Sequence, residues 1–246
     1  EQGGYALVLI ALLAGTAQII VGIISFTGFG ARLSGLIIAA SGGELLVALA
    51  LSMVVALILG MGMPTTAAYL LGASVLVPAL TRLEVLPIAA HLFVFYFAII
   101  SAITPPVCVA VFVAAGMAEA NWLRTAWIAC RLGLAAFIIP YMFVYSNELL
   151  LIGDAGHILL ATATAVIGTL GLAAGAMGYL RRRNHPLETV ILIASALLLI
   201  DPGIVTDSIG LAGLILVYAL QRLRRPAVPV AGEAGAPREA AAGGGP

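Results

Sequence analysis

Charge is what this sequence has least of. Only 9% of its 246 residues are Asp, Glu, Lys or Arg, against roughly 25% in a soluble domain, while 63% are hydrophobic. That balance excludes a soluble globular domain and reads as an integral membrane protein. Lysine is absent, and the eleven basic residues, all arginine, balance eleven acids to a net charge of zero. Nucleic-acid binding needs a basic face, and none is present. The two cysteines, Cys108 and Cys130, both stand in apolar runs without metal-ligand spacing, so they read as small buried hydrophobes. The chain also lacks a nucleophile–base constellation, a phosphate-cradling loop and a metal-spaced His/Cys cluster. An enzyme is therefore not expected, and no cofactor is expected.

Long apolar runs are what the chain does have. Residues 5–26 are long enough to span a bilayer core, which takes about 20 residues, and they carry one polar residue, Gln18, expected to face protein. Residues 27–41 are mixed and read as an interfacial or connecting segment. Ser41-Gly-Gly-Glu44 has the form of a capping box opening a helix. Runs at 45–59 and 66–80 are each short for a span and flank an interruption. A second run, 86–118, is split near its middle. Further spans read at 121–145 and 157–180, and a last pair, 187–200 and 204–220, surrounds the turn signal Asp201-Pro202-Gly203. Beyond Pro226 the Ala/Gly/Pro-rich tail reads as disordered. The chain opens on Glu1 without a visible signal peptide, as a fragment lacking a larger N-terminal portion would. The expected organisation is a transport region at 1–153, C-terminal transmembrane helices at 154–225 and a tail at 226–246. The expected fold is all-α: a helical bundle with a re-entrant hairpin at about 44–80 and a discontinuous transmembrane helix at about 86–118.

The interruptions carry the chemistry. Gly60-Met-Gly-Met-Pro-Thr-Thr-Ala-Ala68 puts Gly60, Gly62, Pro64, Thr65 and Thr66 inside one apolar run. Ser101-Ala-Ile-Thr-Pro-Pro-Val107 puts Ser101, Thr104, Pro105 and Pro106 inside the next. Proline removes backbone donors and disfavours a helical predecessor. In hydrocarbon each unpaired backbone group costs several kcal/mol, so such breaks persist where they are buried in protein or line a cavity. In transporters, half-helix ends are where ions and substrates bind. Terminal carbonyls with the hydroxyls of Thr65, Thr66, Ser101 and Thr104 suit a hard cation such as sodium, and helix N-terminal amides suit a carboxylate. Neither motif holds an acid, so a sodium site here would consist of neutral oxygens.

The same residues have structural readings. Gly/Pro kinks and Ser/Thr bonds to backbone are common in ordinary transmembrane helices. His91 reads as a structural hydrogen-bonding group. Trp122, Trp127, Tyr141 and Tyr145 read as interfacial belts. The positive-inside rule puts Arg124, Arg181–Arg183 and Arg222–Arg225 on the cytoplasmic side, leaving Arg32 and Arg82 outside. The hairpin then opens from the outer face.

With these residues in hand, the chain resembles the large membrane subunit of TRAP transporters (tripartite ATP-independent periplasmic transporters), C-terminal half. Within that family it is most similar to the fused-permease branch served by TAXI-type receptors. The likeness rests on Leu59 to Tyr69, Ala89-Ala-His-Leu-Phe-Val-Phe-Tyr-Phe97, Ser101 to Pro106, Ala114-Ala-Gly-Met-Ala118 and Phe143-Val-Tyr145. The segment 157–221 looks like the branch's extra C-terminal helices. The resemblance implies an elevator-type, sodium-coupled importer of small organic acids, handed over by a periplasmic TAXI-type solute-binding protein. It also implies a multi-pass position in the bacterial inner membrane. The family's ion and substrate region maps onto Gly60, Gly62, Pro64, Thr65, Thr66, Ser101, Thr104, Pro105 and Pro106. Two other readings stand beside it: a receptor-independent elevator transporter of anions or dicarboxylates, and a non-transporting scaffold whose glycines pack helices.

Overall fold

The computed structural model describes residues 26–199 and 203–223, with positions 12, 15, 16, 18, 19 and 22–24 before them. The expected span at 5–26 lies largely outside the described residues, as do Asp201, Pro202 and the tail from 224 onward. The described residues form helices and no strand. These are α1 (Phe29–Ser41), α2 (Leu45–Gly60), α3 (Thr65–Arg82), α4 (Pro87–Ile100), α5 (Val109–Met117), α6 (Trp122–Leu132), α7 (Leu134–Tyr145), α8 (Ala155–Met177), α9 (Pro186–Leu198) and α10 (Ile204–Leu223). Short 3₁₀ turns follow α4 (Ser101–Ile103) and α7 (Asn147–Leu150).

The core lies where α2, α3 and α4 pack on one another, with α1 against α3 and α7 against α4. Leu49, Val75, Leu76, Leu80, Phe93, Val94 and Phe97 are fully buried there. Small residues set the approach of the helices. A Cβ on Gly72 would lie 2.8 Å from Val94 Cγ1, so α3 and α4 meet where α3 has no side chain. On α2 the buried positions Ala48, Ser52, Ala56 and Gly60 recur every fourth residue, a stripe of small side chains that admits close helix contact.

Several sequence expectations are corrected. Of the two readings of residues 27–41, the connecting loop is replaced by a helix, Phe29–Ser41, framed by left-handed Gly28 and Gly42. Gly30 and Ser34 face inward: the Ser34 hydroxyl lies 2.8 Å from both Gly30 O and Val75 O, joining α1 to α3. The capping box at Ser41–Glu44 does not form. Ser41 closes α1, its hydroxyl donating to Ile38 O, and Glu44 precedes α2 without a side-chain cap. Residues 121–145 are not one straight span either. They divide into α6 and α7 at Gly133, with a bend of 40°. A Cβ there would lie 2.8 Å from Ile103 Cδ1, so the missing side chain admits Ile103 at the bend. Tyr141 is not part of an interfacial belt. It stacks edge-on against Phe93 (5.3 Å between centroids), and its hydroxyl reaches Met53 Sδ at 3.3 Å. Gln18 is exposed and meets no protein surface among the described residues.

By length and composition, α8 alone could cross a bilayer among the described residues, and α6 with α7 could do so as a bent pair. Helices α1, α2, α4 and α9 are apolar but shorter.

Candidate functional site: two helix interruptions in contact

Helix α2 ends at Gly60 because the next residues cannot continue it. Met61 is extended (ψ 121), Gly62 is left-handed (φ 71) and Pro64 again is extended (ψ 140). Helix α3 starts at once with Thr65, one residue earlier than its sequence suggests, and folds back along α2. The first helical bond of α3 runs from Ala68 N to Pro64 O at 3.0 Å, so the amides of Thr65, Thr66 and Ala67 precede the ladder. Thr65 is half-buried and Thr66 exposed, and neither hydroxyl has a hydrogen-bond partner among the described residues.

The second interruption runs from Ser101 to Cys108. Its 3₁₀ turn ends at extended Thr104 (ψ 125), and helix resumes at Val109 after two prolines that offer no N–H. Here the chain does not fold back along α4; α5 packs on α6 instead. The Thr104 hydroxyl donates to Ile100 O, the last residue of α4, at 2.9 Å. Pro105 is half-buried and Pro106 exposed.

The two interruptions touch. Ser101 is 1% exposed, and its hydroxyl lies 3.0 Å from Gly60 O and 2.8 Å from Ala98 O, one proton shared between two carbonyls. A Cβ on Gly60 would sit 2.8 Å from Ser101 Cβ, so only glycine fits at the end of α2. Gly62 lies beside Val107, whose Cγ1 would be 3.4 Å from a Cβ there. Gly60, Gly62 and Ser101 are therefore gathered in one place. Thr65 and Thr66 share no hydrogen bond with Ser101 or Thr104 among the described residues. The neighbourhood holds no charged side chain in either interruption. His91 belongs elsewhere: its Nδ1 pairs with the Tyr69 hydroxyl at 3.0 Å, a structural bond between α3 and α4.

One residue escaped sequence reasoning. Ser52, two turns before Gly60 on the small-residue stripe, is completely buried and its hydroxyl has no partner among the described residues. The four-residue spacing from Ala48 to Gly60 would have pointed to it. Among the described residues no group of three His, Cys, Asp or Glu side chains could hold a metal ion. A cation at these tips would meet hydroxyl and carbonyl oxygens alone.

Apolar helices interrupted at Gly/Pro motifs, with their broken ends in contact, define the class: an all-α membrane protein with discontinuous helices. Within that class, the chain belongs to the DctM component family of the tripartite ATP-independent periplasmic transporters, whose model matches residues 1–158. Residues 158–225 match a domain of unknown function, DUF3394. Comparison with curated proteins and with solved structures found no match. The family makes the chain a membrane component of a TRAP-type transporter, not an enzyme, and implies a periplasmic binding protein as partner.

Proposed function

We propose that this chain is part of a sodium-coupled permease of the bacterial inner membrane, crossing it several times and importing small organic acids delivered by a TAXI-type receptor. The observation that carries this reading is the buried Ser101–Gly60 contact, which joins the two interrupted helices tip to tip. In a membrane, backbone departs from helix only where protein or a cavity satisfies it, so two such departures in contact mark a place of use.

The donor set suits sodium. The Thr65 and Thr66 hydroxyls are uncommitted, while Ser101 and Thr104 each direct a proton to carbonyls and keep lone pairs. Thr65, Thr66, Ser101 and Thr104 would hold the ion, and the ion would supply the gradient-derived driving force. Gly60 and Gly62 let the backbones approach, and Pro64, Pro105 and Pro106 keep helix from closing over them. The leading amides of α3 favour a carboxylate on the substrate. The hairpin of α2 and α3 is read as re-entrant, its tip meeting the second interruption inside the bilayer.

Uptake of labelled organic acids into proteoliposomes containing the permease and its receptor tests the proposal. Uptake requires an inward sodium gradient and the receptor. Replacing Thr65→Val together with Thr66→Val lowers sodium-driven uptake at least tenfold while leaving the amount of folded protein unchanged. Equal uptake without sodium would remove the coupling, and uptake without the receptor would favour a receptor-independent anion transporter.

A further inference from the structure

The C-terminal helices carry a separate arrangement. Both α8 and α10 pack on the shorter α9 and touch each other little, which leaves an apolar groove of about 280 Å³ between them. Leu170 and Gly171 form one wall, Leu214, Ile215 and Tyr218 the other, and Leu180 adds to the lining after α8. Gly171 brings the walls together at the floor, since a Cβ there would lie 2.8 Å from Leu214 Cδ2. Leu170 and Ile215 are 66% and 58% exposed, so the groove opens sideways, toward lipid in a membrane protein.

The end of the groove at Leu180 and Tyr218 is basic. Gln221, 1% exposed, accepts the Arg181 and Arg182 amides through Oε1, each at 3.2 Å. Its Nε2 donates to Asn184 Oδ1 at 2.9 Å and to Glu188 Oε2 at 3.1 Å. This knot holds the arginine-bearing turn after α8 against the last turn of α10, beside Arg222. Arg181, Arg183 and Arg222 are exposed. Arg181 Nη1 lies 3.4 Å from the Tyr218 hydroxyl, which places a guanidinium at the rim of the groove. Glu188 is turned inward at 3% exposure, with the His185 N–H and Gln221 on its Oε2.

We propose that this groove binds one anionic phospholipid, with the phosphate at Arg181 and Arg222 and an acyl chain along Leu170, Leu214 and Ile215. The apolar walls give no preference over bulk lipid, because lipid tails are as apolar as leucine. Selectivity comes from the guanidinium groups, which match phosphate geometry with paired N–H donors. An arginine near an anionic headgroup changes binding about fivefold. Two of them set an expected preference of roughly 25-fold over a zwitterionic lipid with the same chains.

Native mass spectrometry of the full chain in mild detergent tests this, with phosphatidylglycerol and phosphatidylcholine of identical chains added separately. The wild type should retain one phosphatidylglycerol with at least tenfold preference. The double variant Arg181→Gln/Arg222→Gln should lose that preference. Ile215→Trp, an exposed site where the ring fills the groove, should lose retention with its circular dichroism unchanged. This second variant decides the matter if the double variant does not fold. Equal retention of the two lipids, or preference surviving both variants, would overturn the proposal. So would glycerol phosphate competing as strongly as the lipid, which would mean a free-anion site. A second copy of the chain bound in place of lipid would overturn it too.

Discussion

The two interruptions share proline and hydroxyl residues, yet they send the chain in different directions. At Gly60–Pro64 it reverses, and α2 and α3 lie side by side. At Ser101–Cys108 it does not return along α4, and the following helix finds its partner in α6. Gly62 accounts for the first outcome: at φ 71 it takes a left-handed conformation that an L side chain enters only with strain. The second interruption has no glycine. Its consecutive prolines withhold N–H groups and keep Thr104 extended, so helix stops without a reversal. The supports differ as well. The first tip rests on Ser101 of α4's end, whereas the second rests on the α6–α7 bend, where Ile103 enters the space left by Gly133 and accepts the Cys130 thiol at 3.6 Å. The difference in composition therefore sets the difference in geometry. Glycine allows a turn, proline forbids a helix, and the two are not interchangeable.

The sharpest way to break this comparison is Gly60→Ala. The new Cβ collides with Ser101, and separating the tips should cost about 1–3 kcal/mol, seen as a lower midpoint of thermal unfolding in detergent. Uptake should fall with it. Adding Ser101→Gly removes the obstacle and should return at least half of the lost stability. If it does not, the contact between the interruptions is not what makes Gly60 necessary. Gly62→Ala has a smaller effect, about 1–2 kcal/mol from left-handed strain alone. Because Val107 is at ordinary contact distance, no second-site change at Val107 should relieve it. Relief by Val107→Ala would mean crowding and not backbone conformation governs the reversal. Smallest on stability is Thr104→Val, within about 0.5 kcal/mol, since that hydroxyl bonds only to the carbonyl four residues before it. Its uptake should drop nevertheless. A parallel loss of folded protein would make Thr104 a packing residue.

How much could be read in advance varies by residue. Gly62, Pro64, Pro105 and Pro106 announce themselves, because their backbone limits are intrinsic and local. His91 read correctly as a structural partner, although nothing in the sequence named Tyr69. Phe29–Ser41 was misread because Gly30 and Ser34 look like loop residues until α3 supplies the backbone they pack against. Tyr141 was misread for the complementary reason: an amphipathic ring suits an interface or a core, and Phe93 and Met53 decide between them. Gly133 gave no sign of a bend, since a glycine kinks a helix only when some other side chain takes its place. Ser52 was missed although its four-residue spacing from Ala48 and Ala56 was in view. Small residues mark a contact face without showing what polar group will be trapped in it.

From its sequence alone this protein is all-helical, membrane-embedded, uncharged at its centre, and interrupted at two known positions. Each of these follows from transfer free energies and from φ restrictions that act residue by residue. That Gly60 meets Ser101, that one interruption reverses the chain and the other does not, and that a knot around Gln221 gathers arginines beside an apolar groove were decided only in three dimensions. Those features depend on which helices lie side by side, and packing is a property of pairs of surfaces that no single segment contains.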